Sequence, residues 1–480
     1  MIALTAAEVA AITGGALHAL DPATVVAGPV VTDSREVEPG ALFAAIAGEH
    51  SDGHAFAATA VAAGACAVLA ARPVAAADGT PLPAVVVPDV VVALGALARE
   101  VLCRLREAAV EPGGSGLRVV AVTGSVGKTT TKDLLLQVLG TAGPTVAPVR
   151  SFNNEIGLPL TVLRADDDTR YLVLEMGASG IGHIAYLTGI APPDVAIVLV
   201  VGAAHIGEFG GLEATARAKS EIVTGLVPGG VAVLNADDAR VAAMAALAPG
   251  GVVTFGLSGA AQVRAVDVRL GDGGRPQLTL VDARADEPRS VPVRLRLVGE
   301  HHVHNALAAA AAALVVGLDL ASVAEGLAAA DALSPHRMHV VERPDGVTVV
   351  DDSYNANPDS MRAALKALAA LAGRDRRSVA VLGEMLELGE QARTAHDAIG
   401  RLAVRLDIGL TVVVGDGARA IADGAAHEGS WGDEVVLVAD VEEAAALLAA
   451  RLRPGDVVLV KSSYGAGLWR LGDRLLGVGA

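Results

Sequence analysis

The sequence predicts an α/β protein of three domains. These are a small N-terminal α/β domain (1–112), a central P-loop domain with a doubly wound, mostly parallel sheet and an antiparallel annex (117–332), and a C-terminal Rossmann-like domain (336–480). Three observations predict it. Short, uninterrupted apolar runs alternate with helical patterns through two long stretches, as expected of parallel strands covered on both faces. A Gly-Lys-Thr turn falls at a strand-to-helix junction. Two breaks, a Pro/Gly/Ser linker at 111–116 ("EPGGSG") and a proline turn after an alanine-rich helix at 331–338 ("DALSPHRM"), divide the 480 residues into lengths suited to separate domains.

In the N-terminal segment, "MIALTAAEVAAITGG" lacks a basic n-region and carries Glu8, so it does not read as a secretory signal. The uncharged stretch 55–71, "AFAATAVAAGACAVLAA", is alanine-rich and split by Gly64. It reads as a helix, a turn and a short strand rather than a membrane span. The central segment gives strands at "LRVVAVTG", "TRYLVLEMG", "DVAIVLVVG" and "GVAVLN". Polar residues follow at the strand ends, where open α/β sheets bind ligands. From 252 to 298 the pattern changes to alternation around a "GDGG" turn, which suggests a small antiparallel annex. The C-terminal segment repeats the strand–helix rhythm at "GVTVVDD", "RSVAVLGEM", "LTVVVGD", "EVVLVAD" and "DVVLVKSS".

Composition narrows the function. A chain that is 52% hydrophobic can bury sizeable cores, and a net charge of −17 argues against a nucleic-acid coat or a binder of anionic membranes. Cys66 and Cys103 stand alone in apolar surroundings, as core residues would, without disulfide or zinc-ligand spacing.

The candidate chemistry begins at "TGSVGKTTT". The turn Gly124, Ser125, Val126, Gly127 can aim backbone N–H groups inward, and a helix from Lys128 adds the positive end of its dipole. Lys128 would neutralise terminal phosphate charge, the Thr129 hydroxyl would bind Mg²⁺, and Thr130 completes the run. The usual P-loop begins with glycine where this chain has Val122. Glu175 ends an apolar strand and could hold magnesium in the same crevice. His205 follows the next strand; it is either structural or part of a second cation site. Lys219 reads as a lysine on a solvated helix face. His301, His302 and His304 are spaced so that a helix cannot turn all three to one ligand, and His301 with Asn305 better suits a nucleotide base or a cap. Asp351, Asp352, Tyr354, Asn355 and Asn357 crowd one loop straight after a strand, beyond what turn chemistry requires. Ser34 and Arg35 lie on an N-terminal loop, and arginine suits a diphosphate or carboxylate. His396 and the run Lys461, Ser462, Ser463 are weaker signals.

Taken in order, these motifs resemble the Mur ligase family of peptidoglycan synthesis over nearly the whole chain. "DSREVEPGALFAAIAGEHSDGHAF" resembles the family's uridine diphosphate sugar domain, and "TGSVGKTTTKD" its P-loop, which likewise begins without glycine. "SFNNEIGLPLTVL", "DDSYNANPDSM" and "VLGEMLELG" are similar to the MurF branch. The resemblance implies that ATP activates the terminal carboxylate of UDP-N-acetylmuramoyl-tripeptide as an acyl phosphate, which the amine of D-alanyl-D-alanine then attacks. It implies Thr129, Glu175, His205 and Lys219 at magnesium, with Lys219 as a carbamate. It places Asn235, His301 and Asn305 by the adenine, and Arg337 and Asp351 at ATP with Tyr354 and Asn355 nearby. Ser34 and Arg35 would lie by the UDP group. A cytoplasmic monomer that closes on ATP, with no nucleic acid and no membrane span, is the corresponding expectation. The chain departs from the family pattern at Val201 and His302, where asparagine is common, and at Tyr464, where arginine is common. The MurE branch is disfavoured because no "DNPR"-like motif occurs in the C-terminal segment, and the folylpolyglutamate branch because a UDP-type N-terminal segment is present. A catalytically dead scaffold is disfavoured by the intact set Lys128, Thr129, Glu175 and Lys219.

Overall fold

The computed structural model describes residues 1–48, 51–110, 116–149, 151–202, 211–430 and 432–478. Its centre is a nine-stranded sheet. Strand Arg118–Thr123 lies inside it, parallel to Tyr171–Glu175 on one side and Val195–Val198 on the other. Val119, Val120, Ala121 and Val122 are fully buried, which is why an unbroken apolar run makes a strand here: both faces are covered. Because the chain leaves this strand to one side and later returns on the other, a crevice opens at the strand C-terminal ends. Gly127 then adopts φ +87°, a conformation glycine tolerates, and the helix Lys128–Gly140 starts at once.

The expected annex is an extension of this sheet rather than a separate layer. Gly251–Gly256 pairs in parallel with Val231–Asn235, and only beyond Val263–Leu270 does pairing become antiparallel, through Pro276–Asp282 and Arg289–Arg294. Alternation reveals a half-exposed strand, not the direction of its partner.

The C-terminal domain has a six-stranded sheet in which Val457–Lys461 lies between Thr348–Asp351 and Ser378–Leu382, all parallel. An edge strand, His339–Glu342, pairs antiparallel with Thr348–Asp351. The N-terminal domain has a five-stranded sheet and a two-stranded one, and 55–71 divides into the helix Ala57–Ala62 and the strand Ala67–Ala70. Its long helix Val90–Val110 joins Leu94, Leu97 and Val101 to Leu158, Ile184 and Leu187 in one apolar core shared with the central domain. Among the described residues, no helix is long and apolar enough to cross a membrane. Cys66 is half-buried, but Cys103 is exposed, on the outer side of Val90–Val110, contrary to its expected place in the core.

Candidate active site

The crevice is the floor of a cavity of about 1230 Å³ walled by the central and C-terminal domains, with Asp89, Val91 and Val92 of the N-terminal domain at one side. Ser125, Val126, Gly127, Lys128, Thr129 and Thr130 line it. The Lys128 ammonium donates to the Gly124 carbonyl at 2.7 Å, folding the side chain back over its own turn. Desolvation lowers its pKa, the Glu175 carboxylate opposes that shift, and the Arg337 charge adds to it. Ser125 pins the turn to the next strand's loop, accepting from Gly202 N at 2.9 Å.

A polar chain crosses the floor. The Thr129 hydroxyl donates to Glu175 Oε2 at 3.0 Å and shares a 2.9 Å hydrogen bond with Ser151 Oγ. Asn153 Nδ2 donates to Glu175 Oε1 at 2.8 Å, and Arg337 Nη2 donates to Ser151 Oγ at 3.2 Å. Ser151 and Asn153 belong to "SFNNEIGL", a polar run just before a buried helix. That run is the signal that could have marked them as site residues. Hydroxyl and carboxylate oxygens beside a phosphate-type turn form a donor set suited to a hard divalent cation.

Lys219 corrects the expectation of a solvated lysine. The helix Leu212–Thr224 buries Thr215, Ala218, Lys219, Ile222 and Val223, spaced along one face, so Lys219 points inward. Only 4% exposed, it lines the cavity without a hydrogen-bond or ion-pair partner among the described residues. Burial, helped by the Lys128 charge, lowers its pKa to about 7. His205 lies outside the described residues.

Asn235, His301 and Asn305 line a second side of the cavity. Asn235 satisfies its amide with backbone, donating to Leu199 O at 2.8 Å and accepting from Asp237 N at 2.9 Å. Asn305 Oδ1 packs so closely on Gly127 that a Cβ there would sit 2.3 Å from it. Burial lowers the His301 pKa to about 4. The three histidines all reach the cavity wall, yet they diverge: His302 meets Asn305, and His304 meets Asp237 at 3.0 Å. Val201 turns its N–H to Asp238 Oδ2 at 2.8 Å.

From the C-terminal domain come Arg337, Tyr354 and Asn355, together with Asp352 and Lys461. The Arg337 guanidinium lies over the Tyr354 ring, 4.2 Å from its centroid. Lys461 is buried and donates to Asp352 Oδ2 at 2.6 Å and to the Asn355 carbonyl at 2.8 Å, fixing that loop. Asp352 also accepts from Met338 N at 3.1 Å. Asp351 does not join them. Strand alternation turns it to the opposite face, where it is wholly buried and holds His336 Nδ1 at 2.6 Å and the Ser353 hydroxyl at 2.6 Å. Ser34 and Arg35 are also apart from the cavity. They sit in a short 3₁₀ turn, with Arg35 exposed and Nε donating to Asp33 at 2.9 Å. His396 is structural, its Nε2 accepting from Met385 N at 2.9 Å.

Comparison with known proteins covers all three domains. Family models described as Mur ligase family catalytic domain, Mur ligase middle domain, and Mur ligase glutamate ligase domain match residues 29–101, 122–313 and 336–464. The UDP-N-acetylmuramoyl-tripeptide–D-alanyl-D-alanine ligase of Mycobacterium tuberculosis is 49% identical over 99% of this chain and 98% of its own. The ligase of that name from Escherichia coli is 34% identical over 91% and 92%. A crystal structure of MurF from Acinetobacter baumannii superposes with a TM-score of 0.84 at 32% identity, covering 99% of both chains. MurF ligase from Thermotoga maritima, solved in complex with ADP, gives 0.75 at 30% identity over 94% of this chain and 97% of that one. The chain belongs to the Mur ligase family, in its MurF branch.

Proposed function

We propose that this protein joins D-alanyl-D-alanine to UDP-N-acetylmuramoyl-tripeptide, consuming ATP and releasing ADP and phosphate. One observation carries the reading. A single cavity sets a phosphate-type turn and the Thr129–Glu175–Asn153 chain against Arg337 and Tyr354 from the facing domain. In the reaction the tripeptide's terminal carboxylate takes the γ-phosphoryl group. The dipeptide amine attacks the acyl carbon, phosphate leaves, and an amide remains. This chemistry needs positioning and charge stabilisation more than covalent help.

Lys128 and the N–H groups of the 124–127 turn other than that of Ser125, which donates to Val200 O at 2.9 Å, hold the terminal phosphates. Arg337, approaching from the other domain, supplies a second cation near the transferring group. Thr129, Glu175, His205 and Lys219 would hold magnesium, and Asn153 keeps Glu175 oriented. The chemistry that such an ion would supply is charge neutralisation of the phosphates and the attacking carboxylate. Lys219 suits this set as a carbamate: burial and the Lys128 charge lower its pKa to about 7, which favours the neutral amine, whose nitrogen can add to CO₂ and lose a proton to leave a buried anion. Asn235, His301 and Asn305 face the adenosine, with Tyr354 and Asn355 closing over it. Asp351 is assigned no contact with ATP. The UDP group is assigned to the N-terminal domain, with Ser34 and Arg35, on their resemblance alone. A monomer that works in the cytoplasm, where ATP is supplied, is the state this reading assigns.

The test is phosphate release from ATP over a panel of UDP-muramoyl peptides and acceptors. Turnover is expected only with a tripeptide precursor and D-alanyl-D-alanine, and Lys128→Ala should lower it about a hundredfold or more. Turnover with a single free amino acid as acceptor, or none with any tripeptide precursor, overturns the reading.

A further inference from the structure

Only 2% of the chain is aromatic, yet Tyr354, Tyr464 and Trp469 stack in one place beside the cavity. Tyr354 and Tyr464 lie 5.6 Å apart, tilted by 47°, and Tyr464 stacks on Trp469 at 5.5 Å and 8°. The Tyr354 ring also carries the Arg337 guanidinium, 4.2 Å from its centroid. The stack closes on itself. Trp469 meets the ring of His336 edge-on at 6.4 Å, and His336 immediately precedes Arg337. His336 is anchored in turn by Asp351 at 2.6 Å, with Asp473 3.8 Å from its other nitrogen. Tyr354 N donates to the His336 carbonyl at 3.2 Å, tying ring and linker together.

Arg337 needs such support. Among the described residues its Nε is buried without a partner, and its Nη2 has one long hydrogen bond, to Ser151. The face of Tyr354 is thus a main contact of the guanidinium, and Tyr464 packs against Tyr354 in turn. Tyr464 itself is 52% exposed and does not line the cavity. Its loop is bolted in place: Leu386 N donates to Ser463 Oγ at 3.0 Å, and Gly467, at φ +79°, turns the chain so that Trp469 returns onto Tyr464.

We infer that Tyr464 is a positioning residue for Arg337, acting through Tyr354 from outside the cavity. The inference rests on the nucleotide reading of that cavity. Affinity for Mg-ATP, measured by titration calorimetry on the full chain, tests it. Tyr464→Ala should weaken binding about three- to tenfold, while Tyr464→Phe, which keeps the stack, should stay within about twofold. In an Arg337→Ala background, Tyr464→Ala should change affinity less than about twofold. Equal losses in both backgrounds, no loss beside an intact Arg337, or a full loss in Tyr464→Phe overturns the inference. Absence of Mg-ATP binding by the unaltered protein instead withdraws the nucleotide reading.

Discussion

His302 begins the helix His302–Val315, 3% exposed, with Asn305 Nδ2 donating to its Nδ1 at 3.3 Å. Burial, reinforced by the neighbouring His301, holds its pKa well below the ordinary histidine value. In the unfolded chain the ring takes up a proton near pH ~6.5. Below that value the unfolded state binds a proton that the folded state refuses, so stability falls as pH falls. The contribution is complete above pH ~6.5 and is lost progressively towards the folded-state pKa. His302→Asn, the residue common in the family pattern, should reduce the pH slope of unfolding free energy between about pH 5 and 6.5 by up to ~1.4 kcal/mol per unit. Urea titrations at several pH values measure it, and an unchanged slope would refute the assignment. Lys219 shows how far single residues were legible. Its burial was readable from the spacing Thr215, Ala218, Lys219, Ile222, but charge alone suggested solvent, because lysine seldom occupies a buried face. Asp351 and Asp352 show the opposite difficulty. Adjacent carboxylates look equivalent in sequence, and only the pleat decides which one meets the cavity.

At the scale of elements, the strand before the P-loop settles whether its missing glycine matters. Val122 is fully buried, in register with Glu175 on one neighbouring strand and Ile197 on the other. The turn's left-handed residue is Gly127, five positions on, where a Cβ would strike Asn305. Val122→Gly would therefore open a cavity and loosen an interior strand without helping the turn. It should cost about 2–4 kcal/mol of stability and leave Mg-ATP affinity within about twofold. Denaturant unfolding and calorimetry measure the two; a gain in nucleotide affinity would contradict the argument. Interior strands were legible because both covered faces demand apolar residues and the runs stop at polar ends, as at Glu175 and Asn235. Thr145–Val146 and His339–Glu342 were not, since short edge strands carry too few residues to show a period.

At the scale of the whole molecule, the site is a meeting of distant segments. Arg337 reaches Ser151 across 186 positions of sequence, and Lys461 reaches Asp352 across 109. No local pattern encodes such meetings. The motifs could be read one by one, but Lys461 gained a purpose only when the fold set it against Asp352. The same arrangement predicts how the molecule responds to its nucleotide. Because the cavity is walled by both domains, a ligand seated on the P-loop should also stabilise the C-terminal wall. Hydrogen exchange on the full chain should therefore show Mg-ATP slowing amides both in 124–130 and in the loop and first helical turn at 352–361. With Lys128→Ala, protection in both segments should fall together at the same nucleotide concentration. Protection confined to the central domain would mean that Arg337 and Tyr354 do not engage the nucleotide, and that the C-terminal domain does not take part in its binding.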